Sequence, residues 1–194
     1  MFRPWMAHAC ALALSLPAAV CVQAFREPDR VAPEQPPANP RPLAPLIAKA
    51  LSSPQASTLQ LSRDEINAHL ALTLPPQKTD SDLWALQRVG IRLEPAKCEV
   101  LTRQLWRGHR LHLGALYSVS LKGGKLRLSL ISGHVGRLKL PARWMRWFET
   151  PFLKMLPALR REHVLLDRLD DLKLTADRAT LYVRISAGPS SSPP

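Results

Sequence analysis

Cysteine is scarce in this chain, three in 194 residues, and two of them, Cys10 and Cys21, fall within the first 24. Loss of that stretch would leave Cys98 alone. No internal disulfide could then staple the domain, and its core must hold it together. Cys98 itself reads as a small buried apolar residue, not a reactive thiol. Catalytic signatures are equally missing. No HExxH order occurs, and no nucleophile elbow surrounds Ser62 or Ser132. Gly123-Gly124 stands where a hairpin turn needs positive φ, not where a phosphate loop opens a helix. His109 and His112 look like a ligand pair, but three apart on a strand they point to opposite faces. Asp167, Asp170 and Asp171 alternate with leucines and lack the glycine-turned loop of a cation site, so a solvated edge is expected there. Glu65 and His69, four apart on one helix, can pair but lack a third partner. Neither an enzyme, a metal site nor a cofactor is expected. A cleft holding His69, His112 or His134 beside a carboxylate would revive an envelope hydrolase.

Acidic residues are also few, 15 against 27 Lys and Arg, for a formal net charge of +12. Nucleic acid, anionic lipid headgroups and acidic envelope polymers could all use that charge. The basic residues are scattered singly and no nucleic-acid module is present, which argues against nucleic acid. A coding bias enriching arginine is the competing explanation. The first 24 residues contain Arg3 and no acidic residue, then an uncharged, Ala- and Leu-rich run from Met6 to Ala24. With Val22-Gln23-Ala24 at its end, this reads as a secretory signal peptide. An uncleaved anchor is the alternative, because the run is near the lower length limit for spanning a bilayer. Ala18-Ala19-Val20 before Cys21 is a poor lipobox. The protein is therefore expected to be exported, periplasmic or secreted, and anchored if the segment is retained.

Residues 25–45 form a Pro-rich segment (Pro28, Pro33, Pro36, Pro37, Pro40, Pro42, Pro45) expected to be a disordered spacer, and 188–194 a disordered tail. The folded unit is expected over 46–187. Leu46 to Leu51 suggests a short helix. Ser62 and Glu65 form a capping box with Leu61 as the staple, starting a helix that carries Ile66, Leu70 and Leu74 and stops at Pro75-Pro76. Asp80 to Leu86 suggests another helical turn or two. From Val89 onward the period becomes two. Leu111, Leu113, Ala115, Tyr117, Val119 and Leu121 alternate along a long strand, and Leu126, Leu128 and Leu130 return inward after the glycine turn, with Ile131 outward. Val164 to Leu174 and Thr180 to Ile185 read as a closing hairpin. The fold class is α+β, a long curved antiparallel sheet wrapped around one or two helices.

The stretch from Ser132 to Leu159 carries the functional signal. At 100° per residue, Trp144, Trp147, Phe148, Phe152, Met155, Leu156 and Leu159 share one half of a helix, and Arg143, Arg146, Glu149, Lys154, Arg160 and Arg161 the other. Pro151 and Pro157 break the element into pieces or kink it. With Leu113, Tyr117 and Leu128 on the strands, the aromatic face could line an acyl-chain groove, sit at a bilayer interface, or fill the core beneath the sheet. Arg143, Arg146 and Lys154 read as a headgroup-binding patch or as a solvated face.

The order of an N-terminal export segment, LSRDEINAHL, long alternating strands and SGHVGRLKLP before an amphipathic helix resembles the YpmS-like and LmeA-like families. These are exported or membrane-anchored bacterial proteins. Leu61, Ser62, Glu65, Asn67 and Leu70, then Val135, Gly136, Leu138, Leu140 and Pro141, carry the resemblance. It implies a fold like the tubular lipid-binding (TULIP) group, a half-barrel enclosing an apolar groove for lipid or another amphiphile. The expected function is non-enzymatic lipid binding at an anionic envelope membrane. The alternative is an adaptor that docks an envelope protein through a sheet edge.

Overall fold

The computed structural model describes residues 19–32, 40–76, 84–148 and 156–184. Elements follow in the order α1 (Leu43–Ser52), β1 (Ser57–Ser62), α2 (Arg63–Thr73), β2 (Trp84–Glu94), β3 (Lys97–Trp106), β4 (His109–Lys122), β5 (Lys125–Val135), β6 (Leu138–Pro141), α3 (Ala142–Met145), α4 (Arg160–Leu166), β7 (Leu169–Leu174) and β8 (Arg178–Val183). The fold is α+β. An antiparallel five-stranded sheet in the order β2-β3-β4-β5-β6 is followed by a three-stranded one in the order β1-β8-β7, and both are open.

Local chemistry explains where the elements begin. Ser62 Oγ accepts from the Glu65 N–H at 3.1 Å while the Glu65 carboxylate accepts from the Ser62 N–H at 2.8 Å, which starts α2 with two otherwise orphaned donors satisfied. Burial alone would raise the Glu65 pKa. The Ser62 hydrogen bonds and the Arg41 guanidinium outweigh it and hold the carboxyl below its ordinary value. Glu65 therefore does not pair with His69. The His69 ring instead meets Glu162 of α4, Nε2 to Oε1 2.6 Å.

Among the described residues, three apolar clusters make most of the core. Leu43, Ile47 and Ala50 of α1 pack with Leu59, Leu61, Leu165, Leu169, Leu181 and Val183 over the small sheet. Leu70 and Leu74 of α2 pack on Leu86 and Val89 of β2. Leu111, Leu113 and Val135 form the third cluster, covered by Phe148, Leu140 and Ala24. Ile66 touches both of the first two clusters.

Side chains close two strand edges. Asn67, buried on α2, pairs with the Ile91 backbone like a neighbouring strand, receiving its N–H at 2.6 Å and donating to its carbonyl at 3.1 Å. At β1, Arg41 donates to the Gln60 carbonyl and Glu65 occupies the Ser62 N–H. Both devices occupy the backbone groups that an incoming strand would need.

Several boundaries differ from the sequence reading. The first helix of the domain opens at Leu43, not 46. Residues 25–32, expected as spacer, lie against the sheet. Phe25 stacks on Trp106 at 5.9 Å, Arg137 Nε donates to the Glu27 carbonyl at 2.9 Å, and Ala32 is buried. The expected helical turn at 80–86 ends in strand, since Trp84 already opens β2 and 80–83 lie outside the described residues. Val164 to Leu166 belongs to α4, where Leu165 reaches the core, so the closing hairpin starts at Leu169. Ile131 is an extra residue in β5 between partners of Leu116 and Tyr117, a bulge that period-two counting does not register.

Candidate functional site

The expected aromatic helix is one turn, Ala142–Met145, continued by a 3-10 turn, Arg146–Phe148. Residues 149–155, with Phe152, Lys154 and Met155, lie outside the described residues, as does the Leu156 side chain. The tighter turn changes which residues share a row. A repeat near three aligns Met145 with Phe148 and Trp144 with Trp147. Met145 is buried against Gly133, where a β-carbon would overlap its thioether, and Phe148 packs on the Leu111–Leu113–Val135 cluster. Trp144 and Trp147 face out, 53% and 80% exposed. Arg143 and Arg146 are exposed beside them, with the Arg143 guanidinium 5.9 Å from the Trp144 ring centroid, a cation–π contact.

The site residues on the strands divide in the same way. Leu113 is 1% exposed and belongs to the core. Phe148 and the rest of its cluster cover it. Tyr117 is half-buried. Leu128, expected inward, is 57% exposed, because it lies toward the β4–β5 hairpin tip, beyond the span that Met145 and Phe148 cover. Met145 is the inward anchor that a 3.6-residue count leaves off the apolar half. Its signal was Gly133, a strand glycine that opens space for a long flexible side chain.

The other face of the five-stranded sheet is polar. Here lie Glu99 of β3, His112 and Gly114 of β4, and His134 of β5, with Gly114 directly opposite His134. The His134 ring lies across Gly114, and a β-carbon there would overlap it. Residues 28–30 arch over this face. With Leu116, Ser132, Gly136, Arg137 and Lys139 they enclose a cleft of about 830 Å³. Arg30 Nη1 stands 3.7 Å from Glu99 Oε2, and His134 Nε2 3.8 Å from Glu99 Oε1. Glu99 Oε2, His134 Nε2 and His112 Nδ1 are buried without a hydrogen-bond partner. Burial lowers the His112 pKa. Glu27 opposes that shift, while Arg103, Arg110 and His134 add to it. His134 beside a carboxylate in a cleft is the arrangement that would revive the envelope-hydrolase alternative. The sequence could not identify Glu99 as that carboxylate, because the two residues are joined only by the register of β3, β4 and β5.

Among the described residues, no three His, Cys, Asp or Glu side chains gather in a way that could hold a metal ion. His163 pairs with Asp167, and Arg184 with Asp170, along a solvated edge. No described helix is long and apolar enough to cross a membrane. Comparison with protein-family models and with curated proteins finds no match for this chain.

Proposed function

We propose that this protein is an exported, non-enzymatic domain that binds lipid or a related amphiphile at an anionic envelope membrane. The observation carrying this reading is the 142–148 turn. Two exposed tryptophans stand on a support fixed by buried Met145 and half-buried Phe148, with two exposed arginines beside them. Indole is favoured at the bilayer interface, and each basic residue near an anionic surface contributes about 1 kcal/mol. The net charge of +12 acts in the same direction. The reading differs from the groove in which these side chains would wrap an acyl chain: the tryptophans reach outward to the lipid, and Leu113 supports the sheet from within. Docking of a protein strand on a sheet edge is opposed at β1 by Arg41 and Glu65 and at β2 by Asn67.

Flotation of the full chain with vesicles tests this. Binding to vesicles containing anionic phospholipid, weak binding to neutral ones, and a loss of about tenfold or more in Trp144→Ala/Trp147→Ala are expected. A full chain that ignores anionic vesicles, or a double variant that binds as well as the parent, overturns the proposal.

A further inference from the structure

The Glu99–His134 cleft lies on the opposite face of the sheet from Met145 and Phe148, and its chemistry is specific. Glu99 is buried, with 8% of its side chain exposed, yet Oε2 has no hydrogen-bond donor. Leaving a buried carboxylate oxygen without one costs free energy, so this atom is a place where a bound group can supply the donor. Its ion-pair partner does not supply one. The Arg30 guanidinium remains 3.7 Å away, beyond hydrogen-bond reach, with 54% of its side chain in solvent.

His134 stands beside it. Its Nδ1 donates to the Gly136 carbonyl at 3.0 Å, and its Nε2, buried without a hydrogen-bond partner, faces Glu99 Oε1 at 3.8 Å. Both groups are held in place. The ring rests in the space that Gly114 leaves, and Glu99 projects from β3 where that strand is paired on both sides, with Arg92 of β2 and Leu116 of β4. The floor of the cleft therefore calls for a compact cation with several N–H donors. Its rim calls for an anion, since Arg30, Arg137 and Lys139 outnumber Asp29 there.

We propose that this cleft binds a small zwitterion that carries a primary ammonium and a phosphate, the chemistry of phosphoethanolamine. The ammonium offers its N–H donors to the Glu99 carboxylate, whose Oε2 has none. The phosphate lies among Arg137, Lys139 and Arg30, of which the arginines can bind it through two N–H groups at once. The cleft volume of about 830 Å³ exceeds what the free compound fills, so both the free compound and the headgroup of a lipid fit. The site is independent of the tryptophan surface.

Calorimetric titration of the full chain with soluble O-phosphoethanolamine, phosphocholine and inorganic phosphate tests the assignment. Phosphocholine keeps the phosphate but has no N–H donor, so O-phosphoethanolamine is expected to bind at least about tenfold tighter, with inorganic phosphate weaker still. Glu99→Gln should cost about tenfold or more. Because Glu99 is buried, exposed Lys139→Gln serves as a second variant with an intact floor, and should weaken binding several-fold. Trp144→Ala/Trp147→Ala should bind the soluble compound like the parent, which separates this site from vesicle binding. A short-chain phosphatidylethanolamine that binds tighter than the free compound identifies a lipid source, and equal affinity identifies the free compound. Equal affinity for phosphocholine, undiminished binding by both Glu99→Gln and Lys139→Gln, or no binding of O-phosphoethanolamine at millimolar concentration overturns the proposal.

Discussion

Two titratable side chains, Cys98 and His112, owe their behaviour to where the strands hold them. Burial first, and then the adjacent Glu99 carboxylate, push the Cys98 thiol up to about 11. At neutral pH almost none of it is the nucleophilic thiolate. In the full-length chain, a thiol reagent should therefore label exposed Cys21 rapidly and Cys98 only after denaturation. Equal labelling rates in the native state would contradict this. His112 is displaced in the other sense, with its folded-state pKa held below the ordinary 6.5 chiefly by burial. The unfolded chain then binds more protons in acid than the folded one, so stability rises with pH in that range. The contribution is complete above 6.5 and erodes as pH falls toward the depressed folded value. Denaturant titrations should show a falling unfolding free energy below pH 6.5. His112→Gln should flatten that slope, and an unchanged slope would assign it to another group.

At the scale of single elements, much was legible in the sequence because the signals are local. The Ser62–Glu65 box starts α2 where expected, and the alternation from Leu111 to Leu121 lies within one strand. The turn after Pro141 was not legible in detail. Whether Trp144 or Met145 points inward depends on a change from 3.6 to about three residues per turn, and Gly133 on another strand decides which side chain fits. The edge devices were hidden for a similar reason: Asn67 and Ile91 are 24 residues apart and meet only after α2 lies along β2. Asn67→Ala should leave Ile91 without partners for its N–H and carbonyl, a loss of about 1–3 kcal/mol. It should also give concentration-dependent self-association through β2, visible by sedimentation. A destabilised variant that stays monomeric would show that the amide stabilises without guarding the edge.

For the molecule as a whole, the +12 charge and the exposed indoles predict two separable parts of vesicle binding. At about 1 M salt the screening length falls to about 3 Å. Attraction through arginine and lysine should then collapse, while the share due to Trp144 and Trp147 persists. Binding unaffected by salt would remove charge from the account. The core, meanwhile, is split into three clusters, with Ile66 shared by the first two and the third closed by Phe148 and Ala24. A core so divided can open in parts before it opens as a whole. Deuterium should enter in stages, with the amides of β4 near Leu113 opening by a different fluctuation from those of β8 near Leu181, each with its own free energy.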